Sequence, residues 1–245
     1  MVQFLYFRAL GFTNMPPIRL YTNWNKRSDE RKIEPFRKYV FICEGANTEV
    51  WYFRELINLR KQLRIHSSIE LQLWEKTEKD RDISYPMNLI QFAEREKDNV
   101  NLHFDRNHDK MVIVFDADIF SDKVKNYDEV VALGEKFNDV LGITRPNFEL
   151  FLLLHFPNSY KDDILPNMDK LLKNEKIDGQ RFSYRLLFDR TNINSKTNKE
   201  IGKLAKDVDI AIEQEKFLNQ DIHQCLQHLT SNIGKIIETI RNDGL

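Results

Sequence analysis

Lys110-Met-Val-Ile-Val-Phe-Asp-Ala-Asp118 decides how the chain is read. The apolar run Met111 to Phe115 ends in two carboxylates, Asp116 and Asp118. A short apolar run of this kind reads as a buried strand, and its carboxyl end is the edge where open α/β sheets bind ligands. Two residues apart in extended chain, Asp116 and Asp118 point the same way. Two like charges held together are costly unless a cation neutralises them, and Mg²⁺ or Mn²⁺ is the oxygen-seeking candidate.

A second run, Tyr39-Val-Phe-Ile-Cys43, ends in Glu44-Gly45 and again puts an acid at a strand end. Asn47 or Thr48 is expected to cap the next helix, with Glu49 in its first turn as a helix-start residue rather than a catalyst. Trp51, Phe53, Leu56, Ile57 and Leu63 continue at helical spacing. Ile69, Leu71 and Leu73 alternate with polar residues, a strand with one wetter face, and Pro86 opens a helix carrying Leu89, Ile90 and Ala93. The order up to Asp118 is β-α-β-α-β, a mostly parallel sheet flanked by helices.

Beyond the acid pair, a helix is expected over residues 127–141, ended by Gly142. Asn147-Phe-Glu-Leu-Phe-Leu-Leu-Leu-His-Phe156 is apolar except for Glu149 and His155, and an acid buried in such a run needs a partner, with Arg145 one option. Helices are expected over 163–174, 184–188, 199–217 and 221–241. The fold class is therefore mixed α/β, with an arm (1–37), a core (38–160) and a mainly helical C-terminal region (161–245).

Composition narrows the function classes. The chain has 245 residues, 37 basic against 38 acidic, so global charge gives no vote for nucleic acid. Residues 181–206 nevertheless hold seven Lys or Arg against two acids: Arg181, Arg185, Arg190, Lys196, Lys199, Lys203 and Lys206, with Phe182, Tyr184 and Phe188 between them. Basic residues with interleaved aromatics can grip phosphates and stack bases, and Arg181, Arg185, Arg190, Lys199 and Lys203 are the substrate-binding candidates. A basic helical face that packs through its aromatics remains an equal reading. The basic residues between Lys26 and Lys38 read as a solvated arm. The two cysteines, Cys43 and Cys225, have no metal-ligand spacing, which fits a reduced, cytoplasmic setting. No apolar run approaches a membrane span. Residues 1–12 lack the features of a signal peptide, and Met15 is the expected start.

The motif Phe41-Ile-Cys-Glu-Gly-Ala-Asn-Thr-Glu-Val-Trp-Tyr-Phe53, the Val112 to Asp118 strand and Pro146-Asn-Phe-Glu-Leu-Phe-Leu-Leu-Leu-His-Phe156 resemble, in this order, three motifs of the RloB-like family. The Glu-Gly and Asp-x-Asp pairs are also similar to the Toprim arrangement. The resemblance covers about residues 37–156. It implies a Toprim-type, Mg²⁺-dependent (or Mn²⁺-dependent) phosphotransfer core with Glu44, Asp116 and Asp118 at the metal and Glu149 and His155 completing the site. It further implies a nuclease acting on DNA or RNA in prokaryotic phage defence, often beside an ATPase partner. Two positions depart from the pattern: Ile119 stands where an acid is common, and the usual Asn-Pro order is reversed at Pro146-Asn147. Two other classes compete. A haloacid-dehalogenase-like phosphatase also uses Asp-x-Asp, but Phe120 stands where that family places a Thr or similar residue. A non-catalytic regulatory or adaptor subunit is the other. The chain has no Gly-x-x-x-x-Gly-Lys-Ser/Thr motif, so ATP hydrolysis would belong to a partner.

Overall fold

The computed structural model describes residues 36–77, 79–80, 83–122 and 125–243. The expected N-terminal arm up to residue 35, and Met15 with it, lie outside these residues. The order that follows is β1 (Arg37–Cys43), α1 (Thr48–Asn58), β2 (Ile69–Leu73), α2 (Pro86–Glu96), β3 (Lys110–Asp116), the short α3 (Ile119–Asp122), α4 (Tyr127–Lys136), β4 (Val140–Arg145) and α5 (Phe148–Leu153). Next come α6 (Met168–Lys173), the hairpin β5 (Lys176–Ile177) and β6 (Gln180–Arg181), α7 (Phe182–Thr191), a 3-10 helix (Lys199–Asp207), α8 (Val208–Glu215), β7 (Thr230–Ser231) and α9 (Ile233–Asn242).

Five strands form one sheet in the order β2-β1-β3-β4-β7. The pairs β1–β2, β1–β3 and β3–β4 are parallel, and β7 is antiparallel to β4. The mostly parallel α/β sheet expected from the sequence is thus the observed fold. The apolar strands are buried on both faces, as parallel strands covered by helices must be. Tyr39, Phe41, Cys43, Val112 and Val114 face one core layer, shared with α1, α5, α7, α8 and α9. Val40, Ile42, Met111, Ile113 and Phe115 face the other, shared with α2 and α4. The sequence order reverses between β1 and β3, the switch point that opens a crevice at the strands' carboxyl ends.

Three local expectations are corrected. The helix expected to run to Leu141 stops at Lys136, because Asn138 takes a left-handed φ of 59° and turns the chain out. Gly142 then lies inside β4, where a Cβ would come within 2.9 Å of Ile233 Cδ1. The single helix expected over 221–241 is broken by β7. Asn232 follows β7, and its side chain extends the ladder: Oδ1 accepts from the Ile143 amide at 2.7 Å and Nδ2 donates to the Leu141 carbonyl at 2.8 Å. Finally, β3 ends at Asp116, so strand alternation does not reach Asp118, which lies in the turn that opens α3.

Candidate active site

The backbone ladder of the sheet continues beyond the strands and fixes the acids that follow them. The Glu44 amide donates to the Val114 carbonyl at 2.8 Å, and the Ala117 amide donates to the Thr144 carbonyl at 2.8 Å. Glu44 then turns back to β3, where its Oε2 accepts the Asp116 amide at 3.1 Å. Thr144, fully buried on β4, donates its hydroxyl to Asp116 Oδ1 at 2.6 Å. Lys76 donates to the carbonyls of Glu44 (2.6 Å) and Ile83 (2.8 Å), tying the Glu44 turn to the segment after β2.

Two further acids join from helix starts. Glu49, in the first turn of α1, is 5% exposed, and Glu149, in the first turn of α5, is 0% exposed. A loop between α7 and the 3-10 helix closes over both. Ser195 Oγ donates to Glu149 Oε1 at 3.0 Å, and Lys196 Nζ lies 2.8 Å from the same oxygen. The partner of the buried Glu149 is therefore Lys196. Arg145, the partner considered from sequence, instead donates to the carbonyls of Cys225 and Leu226. Glu149 Oε2 is buried without a hydrogen-bond partner.

Asn47 and Thr48 hold the same loop rather than the helix end. Asn47 stands at the N-cap position of α1, but no side chain caps that helix. Its Nδ2 donates to the Lys196 carbonyl at 2.9 Å, and Thr48 Oγ1 donates to the Ser195 carbonyl at 2.9 Å. The expected cap is exchanged for a tether between two parts of the site.

Burial, reinforced by like charges at close quarters, shifts the acids in one direction. Burial pushes Glu44 up to about 7, and the neighbouring Glu49 and Asp118 add to it. Burial pushes Asp116 well above the usual carboxylate range, with Glu49, Glu44 and Glu149 reinforcing it and Thr144 opposing. Glu49 is raised by burial and by Glu149, against the pull of Lys196. Asp118 is raised by burial, with Arg181 opposing. Burial alone would lower the Lys196 ammonium, but Glu149 and Glu49 overcome it and hold the proton on.

Asp118 reaches outward. With Arg145, Pro146, Leu172, Lys173, Asn174, Glu175 and Arg181 it lines a polar hollow of about 400 Å³. Arg181 Nη2 lies 3.8 Å from Asp118 Oδ2. The β5–β6 hairpin sets this position. Asp178 and Gly179, at φ 52° and 83°, supply the two left-handed residues of a tight two-residue turn, and Arg181 follows at the end of β6.

The other sequence candidates divide. Arg185 pairs with Asp178 at 3.0 Å, and Arg190 pairs with Asp163 at 2.8 Å. Lys199 and Lys203 line a separate hollow with Trp51, Arg54 and Glu55. His155 is 2% exposed. Its Nε2 lies 2.9 Å from the Tyr52 hydroxyl, and its Nδ1 faces the carbonyls of Phe151 and Leu152 at 3.1 and 3.2 Å. Burial lowers it to about 4, so it is neutral, with Nδ1–H donating and Nε2 accepting from Tyr52. Both ring nitrogens are thereby occupied away from the carboxylates. Glu49, expected only as a helix-start residue, and Lys196, one of the seven basic residues of 181–206, both sit in the acid group.

Among the described residues no three His, Cys, Asp or Glu side chains form a ready-made metal cage. The donor set still fits a hard divalent cation. It is all oxygen, its acids raise one another's affinity for positive charge, and one fully buried oxygen, Glu149 Oε2, has no hydrogen-bond partner.

No curated protein and no solved structure matches the chain. The family model described as RloB-like protein matches residues 39–240. That span runs from β1 to α9 and takes in every acid of the site, together with the loop that carries Lys196. The chain belongs to the RloB-like family.

Proposed function

We propose that this protein is a Mg²⁺- or Mn²⁺-dependent nuclease of the Toprim type that hydrolyses phosphodiesters in DNA or RNA. One observation carries the reading. Glu44 and Asp116 are joined at the carboxyl edge of adjacent parallel strands, with Glu49 and Glu149 behind them and Asp118 opening onto a hollow lined by Arg145, Lys173 and Arg181. A strand-end acid group beside a cationic hollow suits a phosphate-bearing substrate.

Glu44, Asp116 and Asp118 are the residues that would hold the cation, with Glu149 behind them. When bound, such an ion polarises a phosphate oxygen and supplies hydroxide near neutral pH. The chain's own contributions are separate. Thr144 and the Asp116 amide fix the inner two carboxylates, so no reorganisation is needed there. Arg181 and Lys173 line the same hollow as Asp118 and are the cations this reading gives to the backbone phosphates of a strand. Arg185, Arg190, Lys199 and Lys203 lie further out, or in acid pairs, and contribute long-range attraction rather than contact.

A role in prokaryotic phage defence, beside an ATPase chain, follows from the family resemblance. A cytoplasmic setting accords with the free, buried Cys43 and Cys225. No helix among the described residues is long and apolar enough to cross a membrane. The alternative, a non-catalytic subunit of a defence complex, is favoured by one feature, the Glu149–Lys196 pair, which partly neutralises the acids with no added ion.

The test is cleavage of plasmid DNA, phage DNA and total tRNA in Mg²⁺, Mn²⁺ and EDTA, beside Asp116→Ala/Asp118→Ala. Metal-dependent cutting absent from the double variant is expected. Cutting that survives in the variant would place the chemistry elsewhere. No cutting by either protein, even with partner chains added, favours the adaptor.

A further inference from the structure

We propose that Lys196 is a built-in counter-ion of the acid group, seated where a divalent cation must displace it. The inference rests on the cation site proposed above.

The placement of Lys196 is specific. Its ammonium is 2.8 Å from Glu149 Oε1, yet its side chain is 52% exposed while that of Glu149 is 0% exposed. The lysine therefore lies at the mouth of the group, between buried carboxylates and solvent. Its charge also acts on Glu49, Asp116 and Asp118. Behind it, Glu149 Oε2 is buried and unpartnered, so one ammonium does not use up the oxygens on offer.

The loop does not depend on the ammonium. Asn47 and Thr48 hold the carbonyls of Lys196 and Ser195, Ser195 Oγ holds Glu149, and Asn194 Oδ1 accepts the amides of Lys196 and Thr197 at 3.0 and 3.1 Å. The backbone is pinned while the side chain is long, flexible and half in water. Such a lysine can swing out once another cation takes over its charge. An ammonium held on Glu149 and a divalent cation on the neighbouring Glu44, Asp116 and Asp118 repel each other strongly in so buried a group.

The lysine thus has a different role from the other six basic residues of 181–206. It sets the threshold concentration of metal at which the site loads, and keeps the acid group assembled below that threshold.

The experiment is calorimetric titration of the full-length protein with MnCl₂, for the wild type, Lys196→Met and Lys196→Arg. Lys196→Met is expected to bind Mn²⁺ about tenfold more tightly, since a repelling charge is gone, and Lys196→Arg to stay near the wild type. In EDTA, Lys196→Met should melt lower than the wild type and gain more on Mn²⁺ addition. A second measurement needs no variant. Acetic anhydride labelling of Lys196 in the wild type, read by peptide mass, should rise severalfold when Mn²⁺ is added. Equal or weaker Mn²⁺ binding by Lys196→Met, or labelling that Mn²⁺ leaves unchanged or lowers, overturns the inference while leaving the metal site intact. Absence of Mn²⁺ binding by both wild type and Lys196→Met, with labelling unaffected, removes the metal site itself and the inference with it.

Discussion

The Asp116 amide donates to Glu44 Oε2 at 3.1 Å, so the last residue of β3 holds the carboxylate that follows β1. One acid is positioned by the backbone of the other. Asp116 in turn is buried among negative neighbours and accepts from the Thr144 hydroxyl. Under the proposed cation site, this arrangement serves binding rather than stability. Asp116→Asn should keep the Thr144 hydrogen bond, relieve repulsion, and melt at the same temperature as the wild type or a few degrees higher in EDTA. Metal-dependent cleavage should fall by roughly a hundredfold or more. Parallel thermal melts and cleavage assays check both halves, and a large loss of stability would mark Asp116 as structural.

Acidity should shape stability in a definite direction. Glu44 is raised from 4.5 to about 7, chiefly by burial. An acid raised on folding binds its proton more tightly in the native state. Its contribution is complete below about 4.5 and fades as pH climbs through 7. Asp116, Glu49 and Asp118 shift the same way. Melting temperature in EDTA should therefore drop as pH rises across this range, and Glu44→Gln should flatten the drop. His155 acts on the other side: lowered to about 4, it stabilises above its ordinary 6.5 and loses that contribution as pH falls toward 4.

The imidazole of His155 also separates a structural from a chemical role. His155→Leu removes the acceptor for the Tyr52 hydroxyl and should cost about 1–3 kcal/mol in urea unfolding. The folded fraction should cleave at close to the wild-type rate. Normal stability with abolished cleavage would reverse this assignment. Nitrogen-detected spectra should place the proton on Nδ1 at pH 7.

Gly45 is pressed against Glu49. A Cβ there would lie 2.2 Å from Glu49 Oε2. Gly45→Ala should cost roughly 1–3 kcal/mol and reduce metal binding, because the buried carboxylate has to move. Much of the stability should return in Gly45→Ala/Glu49→Ala, and a double-mutant cycle measures that coupling.

The two acid-tipped strands were legible because their apolar runs are bounded and are buried on both faces. Glu44 and Asp116 could be placed at the sheet edge for the same reason, whereas Asp118 lies past the strand in the turn that opens α3. Glu49 was hidden by its own suitability for a first turn, a position acids favour whether or not they do anything else. Lys196 was one of seven basic residues in a row of similar spacing, and only the folded loop distinguishes it. The Asp178-Gly179 pair was the unused signal: it marks a tight hairpin, and the hairpin is what brings Arg181 to Asp118. The strands β4 and β7 left little trace, being a glycine-interrupted run and a two-residue bridge. Both depend on partners far away in the chain.

Those distant partners impose an order on synthesis. Asn232 supplies hydrogen bonds to β4, and Glu215 accepts from Ser231 Oγ and from the amides of Gly234 and Lys235, locking β7 to the start of α9. On the ribosome, the acids of β1 and β3 emerge long before the segment that completes their sheet. A nascent chain therefore holds these carboxylates on an unfinished sheet until Asn232 has left the exit tunnel. Termination before Asn232 would release a chain whose β4 lacks its outer partner.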